Sequence, residues 1–186
     1  MKKYITPLTS TAYFIVVLLI VHFVWKFGFV EDVDLSGNKI LTFYGLNATA
    51  FFAPMTNWLL NTVYSIISNF TSVAVEIRQS SIYLVSQAKS IEIVWSCTGI
   101  KQMVFFLLLI MFYPKQSLHK LWYIPAGLVL VFLLNVLRIT YIVYLCDADI
   151  TRFEHLHEVS KYIFYGIMFL MWMLWDWRIV PDRGNQ

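Results

Sequence analysis

Charge is scarce in this chain. Asp, Glu, Lys and Arg supply 13% of its 186 residues, hydrophobic residues supply 59%, and the mean hydropathy is +0.66. A soluble domain needs roughly 25% charged residues to cover its surface, so the composition excludes one and indicates an integral membrane protein. The formal net charge of +3 is small and dispersed, which gives nucleic acid no basis as a partner. Cysteine is scarce too. Cys97 and Cys146 stand far apart with no Cys-x-x-Cys, so neither a disulfide scaffold nor a zinc site is supported, and neither metal nor cofactor is expected. A bridge between the two thiols stays open. Internal repeats and low-complexity segments are missing. No small-residue cleavage site follows the first apolar run, because Trp25, Lys26 and Phe27 occupy that place, so the run reads as a retained span.

What is present is a series of apolar runs. The length suits a single membrane domain over 1–186, an all-α bundle of about four to five spans at about 20 apolar residues each. The first span is read from Thr11 to Val30, the second from Gly99 to Tyr113, the third from Leu121 to Leu145 and the last from Tyr162 to Trp177, so that 99–177 holds three of the spans. If Lys2, Lys3, Lys115, Lys120, Arg178 and Arg183 stay cytoplasmic, nine of the eleven acidic residues fall outside, and Cys97 enters the membrane from the outer side. Residues 50–70 then read as an interfacial or re-entrant amphipathic helix. Phe51, Met55, Leu59, Val63, Ile66 and Phe70 form its apolar face, and Asn57, Asn61 and Ser65 a polar line. A fifth span at 50–70 with an external N-terminus stays open.

Residues 73–96 contain β-branched and aromatic runs with turn residues at Gln79-Ser80-Ser81 and Gln87-Ala88-Lys89-Ser90. They predict a small external β-hairpin or meander that ends by presenting Cys97.

Three residues carry candidate chemistry. Cys97, in Trp95-Ser96-Cys97-Thr98-Gly99-Ile100-Lys101, lies at the start of a span, where free N–H groups favour a thiolate and a lipid-facing environment opposes it. Arg138 lies roughly 10 Å inside its span, counted from Leu145, and a guanidinium at that depth requires a partner. Asn135, one turn earlier on the same face, is placed to hold the guanidinium or a carbonyl. His155 and His157 precede the last span and stand outside, where an imidazole exchanges protons near neutral pH. Each has a plainer reading: a buried thiol, a snorkelling arginine, interfacial histidines.

Together these segments resemble the exosortase/archaeosortase family of membrane-embedded cysteine transpeptidase-like proteases. Trp95-Ser96-Cys97-Thr98-Gly99-Ile100-Lys101 resembles its cysteine motif, Asn135-Val136-Leu137-Arg138-Ile139 its arginine motif and His157-Glu158-Val159-Ser160 its histidine motif, over roughly Ala50 to Trp177. The resemblance implies Cys97 as nucleophile, Arg138 as stabiliser of thiolate or oxyanion, and His157 as general base and acid. Asn135, Lys101, Gly99, Glu158 and His155 would serve as supporting or substrate-binding residues. Lys101 stands where the family usually has arginine, and the chain is shorter than the common eight-span members, which suggests a minimal catalytic core. A histidine in the third motif fits bacterial members, hence a bacterial inner membrane. The implied substrates are exported proteins with a C-terminal sorting signal: a short motif, a hydrophobic helix and a basic tail. The acyl group would pass to an amine on a lipid or glycan, or to water, among surrounding membrane lipids. Two other readings stay open: a non-catalytic membrane subunit for surface polysaccharide assembly or export that binds an anionic lipid carrier, and a thiol oxidoreductase using Cys97 and Cys146.

Overall fold

A computed structural model describes residues 7–33, 39–113 and 118–179. Five helices dominate: α1 (Pro7–Gly28), α2 (Thr49–Phe70), α3 (Ile100–Met111), α4 (Lys120–Ala148) and α5 (Phe153–Leu174). Two small antiparallel sheets punctuate them. The first orders β1 (Phe29–Val33), β2 (Lys39–Phe43) and β3 (Leu46–Asn47); the second orders β4 (Val75–Arg78), β5 (Ser81–Leu84) and β6 (Lys89–Glu92). Of the cations expected on the cytoplasmic side, Lys2, Lys3, Lys115 and Arg183 lie outside the described residues.

Among the described residues two helices are long and apolar enough to cross a bilayer, with windows at Thr11–Gly28 and Lys120–Ala148. Only 17% and 33% of those windows are buried inside the protein, unlike the core helix of a soluble domain, so their apolar side chains need lipid. The run expected to span from Gly99 to Tyr113 forms a helix of 12 residues, about 18 Å long and short of the roughly 30 Å hydrocarbon core. The last span, read from Tyr162, belongs to a helix that begins at Phe153 and ends in a π turn over Trp175–Ile179. His155 and His157 therefore lie on the first turns of α5 and not in a loop before it.

The first sheet was not anticipated by hydropathy, because the apolar run continues past Gly28 into the strand. α1 ends where the Tyr44 N–H donates to the Gly28 carbonyl at 3.0 Å and the Phe43 ring closes over Gly28, so tightly that an added Cβ would sit 2.6 Å from it. A left-handed pair, Tyr44 and Gly45, turns β2 into β3. The second sheet follows the predicted meander, with left-handed Gln79 and Ala88 at its turns and Ile82, Leu84 and Ile91 buried. α2 buries Phe52, Leu59, Leu60, Val63 and Ile67, so its inner face is rotated from the expected one: Phe51 and Phe70 are exposed. Asn57, Asn61 and Ser65 do form an exposed line.

Two apolar cores result, and α4 belongs to both. One gathers α2, the second sheet and the later part of α4, with Val136, Ile139, Ile142 and Val143. The other gathers α1, α3, α5 and Val131 of α4. Side chains of the second sheet hold the C-terminal end of α4. Ser86 donates to the Asp147 carbonyl at 3.3 Å and Gln87 to the same carbonyl at 2.8 Å, supplying donors that a helix C-terminus lacks.

α3 and α4 meet through Gly127, on which the fully buried Phe106 ring rests so closely that a Cβ has no space. Gly127→Ala is expected to destabilise the protein by about 1–3 kcal/mol, the usual cost of overpacking, read as a lowered Tm of the purified protein in detergent. Adding Phe106→Leu should recover part of the loss, whereas additive losses would show that the two side chains do not meet.

Candidate active site

Cys97 sits in a 3-10 turn, Trp95–Thr98, between the second sheet and α3. The turn is fixed from both sides. Its Cys97 N–H donates to the Val94 carbonyl at 2.9 Å, and the Thr98 hydroxyl donates to the Trp95 carbonyl at 2.7 Å. The Trp95 ring lies among Trp25, Phe29 and Phe52, 5.2–6.1 Å away between centroids, while its indole N–H donates to Glu31. Gly99 follows with φ +79°, a left-handed residue that turns the chain into α3. An added Cβ there would lie 2.9 Å from the Asn135 side chain. Glycine thus admits Asn135, whose amide donates to the Cys97 carbonyl at 2.7 Å. Of the two roles the sequence left to Asn135, this is the carbonyl one.

One turn further along α4, the half-buried Arg138 faces α5. Its Nε donates to the Ser160 hydroxyl at 2.9 Å, and one terminal nitrogen lies 3.4 Å from His157 Nδ1. Ser160 in turn donates to the His157 carbonyl at 2.9 Å. Arg138, His157 and Ser160 therefore form a closed set across two helices, and among the described residues no further hydrogen bond engages the guanidinium. Cys97 shares this neighbourhood through charge. Burial pushes its thiol pKa up, while the backbone at Val94 and the positive charge of Arg138 oppose that rise. Helix N-terminal stabilisation, expected for a thiol at this junction, loses to desolvation because the sulfur packs against the α2/α4 core. His157 lies on the part of α5 before Tyr162. Burial first, then the Arg138 charge, lower its pKa from the ordinary 6.5, so the imidazole is neutral at pH 7. Among the described residues no hydrogen bond directly joins the thiol to Arg138 or His157.

The supporting residues divide. Gly99 and Asn135 touch the cysteine turn. Lys101, in the first turn of α3, points instead to α1, 3.4 Å from His22 Nδ1. Glu158 is exposed and paired with Lys161 at 2.6 Å. His155 is exposed, two residues from His157 and so on a different face of α5. Both cysteines are free, so the Cys97–Cys146 bridge is not formed. Among the described residues no three His, Cys, Asp or Glu side chains converge as a metal set. Sequence reasoning gave no role to Ser160 or His22. Ser160 had a signal, since three residues after His157 on a helix is the same face. His22 had only its oddness, a titratable ring in an apolar helix.

Apolar helices exposed to lipid define a membrane protein, and a thiol, a guanidinium and an imidazole lie near the junction of three of its helices. Over residues 4–174 the chain matches the family model described as transmembrane exosortase, and it belongs to that family. No curated protein and no solved structure matches it.

The electrostatics give a signed prediction. Alkylation of Cys97 by a maleimide, followed against pH by mass spectrometry, should show a midpoint above the roughly 8.5 of a free thiol. Arg138→Ala should move that midpoint higher still, because a charge that opposes the rise has been removed; a downward shift would contradict the arrangement. Gly99→Ala, which strains a left-handed residue and displaces Asn135, should cost about 1–3 kcal/mol of stability. It should also speed alkylation, and unchanged alkylation and Tm would mean that the Asn135 contact is dispensable.

Proposed function

We propose that this chain is a membrane-embedded cysteine protease and transpeptidase that cleaves a C-terminal, membrane-anchored sorting signal from exported proteins. The observation that carries the reading is Arg138, bonded at once to His157 and Ser160 one helical turn from Asn135, which holds the carbonyl of Cys97. Family membership supplies the reaction class.

The resting chemistry is a neutral thiol and a neutral imidazole, each within reach of the Arg138 charge. The 3.4 Å contact from Arg138 engages the lone pair on His157 Nδ1, the same lone pair that must accept the thiol proton. Substrate breaks that competition. When a peptide carbonyl enters, the guanidinium turns to the developing oxyanion, and Nδ1 is released to take the proton from sulfur. The thiolate attacks the carbonyl carbon, a C–S bond forms and the C–N bond breaks. The leaving amine carries away the proton held by His157. The thioester is then opened by an amine acceptor or by water, whose proton passes through His157 to the departing sulfur, so that the neutral thiol returns. A substrate anchored in the same bilayer arrives oriented, which removes much of the entropic cost of encounter. The protein works as a multi-pass protein of a bacterial inner membrane, with the site on the outer face. The reading fits Lys120, which lies at the opposite end of α3 from Cys97 and donates to the Met111 and Tyr113 carbonyls.

Cys97→Ala should leave the protein inserted and folded while uncleaved precursor accumulates in the membrane, followed by immunoblotting of a tagged exported substrate. Arg138→Ala and His157→Ala should each lower the processing rate by at least about 10²-fold, whereas His155→Ala should retain most of it. Normal processing by Cys97→Ala would end the catalytic reading and leave the polysaccharide-assembly subunit in its place.

A further inference from the structure

The contact between Lys101 and His22 is not explained by catalysis. Lys101 is half-buried in the first turn of α3, and its ammonium donates to the neutral ring of His22 on α1 at 3.4 Å. Lys26, one turn above His22 on α1, and Lys161 of α5 both lie within electrostatic reach of His22. Lys161 is balanced by Glu158 at 2.6 Å. Among the described residues neither Lys101 nor Lys26 forms an ion pair; Lys26 has only a ring contact with Phe27. Three helices therefore bring cations together at the end of the bundle where Cys97 lies, and two of the charges are uncompensated. A half-buried ammonium at a bilayer boundary is costly unless an anion joins it.

The surroundings specify the shape of that anion. Down α1 from His22 the same side carries Leu19 and Ile15, both about half exposed, and up the helix it carries Lys26, exposed. Read along one side, α1 is thus apolar for two turns and then cationic for one. That is the profile of an amphiphile whose acyl chain lies against Ile15 and Leu19 and whose headgroup reaches His22, Lys26 and Lys101. Because Lys101 donates to Nδ1, the other ring nitrogen of a neutral His22 carries a hydrogen and adds a second donor. We propose that His22, Lys26 and Lys101 bind the phosphate of a membrane phospholipid in a site between the Cys97 ends of α1 and α3. The site goes beyond the proposed reaction and stands or falls separately from it, since none of the three residues takes part in proton transfer or attack there.

The test uses the full chain purified in detergent and titrated with dioctanoyl phosphatidylglycerol, with bound lipid counted by native mass spectrometry. Dioctanoylglycerol, which lacks phosphate, and inorganic phosphate, which lacks chains, are titrated beside it. Wild-type protein should bind the phospholipid in preference to both. Lys101→Gln and His22→Gln should each weaken binding about 10-fold, and Lys26→Gln by a lesser factor that shrinks with added salt. Lys101→Arg should retain binding, and Lys89→Gln, on the second sheet, should leave it unchanged. Equal binding of dioctanoylglycerol would overturn the proposal by showing a merely apolar surface. Inorganic phosphate binding as tightly as the lipid would overturn it in favour of a free anion. Unchanged binding by Lys101→Gln would remove the site. If Lys101→Gln fails to fold, the exposed Lys26→Gln decides the matter by the same two measurements.

Discussion

The hydrogen bond from the Asn135 amide to the Cys97 carbonyl is the contact on which the rest of the arrangement depends. A cysteine in a short turn between a sheet and a helix has no regular hydrogen-bond ladder to fix it. Here the turn is tied to the interior of the longest helix, and the tie exists only because position 99 has no side chain. Gly99 therefore answers two demands at one place. Its left-handed φ redirects the chain from sheet to helix, and its missing Cβ lets α4 approach. Asn135 is completely buried, and its carbonyl oxygen finds no partner among the described residues, so the amide is held at a cost that only a positional role for the Cys97 segment repays.

α4 carries this arrangement because it supplies fully buried side chains to both cores. Before Asn135 it packs on α1, α3 and α5, and beyond it on α2 and the second sheet. Asn135 and Arg138 stand where one environment gives way to the other, a place where polar side chains have neighbours from several elements. Arg138 is ten residues before the end of α4 at Ala148, or about 15 Å of helix. A cation at such depth is tolerable because Ser160 and His157 accept from it, and both accept as neutral groups. Among the described residues no carboxylate forms an ion pair with it, although Glu158 lies within electrostatic reach. Its field opposes the rise in the Cys97 pKa and adds to the fall in that of His157.

The sequence made some of this visible, for identifiable reasons. The bounds of α2 and the first two strands of the second sheet were legible to within about two residues because the periodicity changes from three- and four-residue spacing to alternation. The last strand begins earlier than read: Lys89 and Ser90, turn residues by the sequence pattern, pair in β6, and Trp95 lies in the following 3-10 turn. The end of α1 was not legible, since Phe29 and Val30 continue the apolar composition after the helix has stopped at Gly28. The start of α5 was hidden in the opposite way: Glu154 and Glu158 signal water, and water does not forbid a helix. Hydropathy reports depth in a membrane more directly than it reports backbone conformation. Among the site residues, Cys97, Arg138 and His157 stood out by residue type and motif. The bridge through Ser160 and the His22–Lys101 contact join helices far apart in the chain, and only tertiary packing creates them.

The electrostatic state of the site follows from where its members lie relative to water. Desolvation acts on the thiol and the imidazole alike, disfavouring the anion of one and the cation of the other. A resting thiolate–imidazolium pair, common where a cysteine nucleophile is open to solvent, is therefore disfavoured twice here. Arg138 favours the thiolate but disfavours the imidazolium, so it cannot by itself create the pair. Charge at this site therefore needs compensation from a further partner, and a group turning negative beside the guanidinium would supply it. Burial of this kind favours the protonated thiol. A thiol held in that form resists oxidation and adventitious alkylation, because the reactive species is the thiolate.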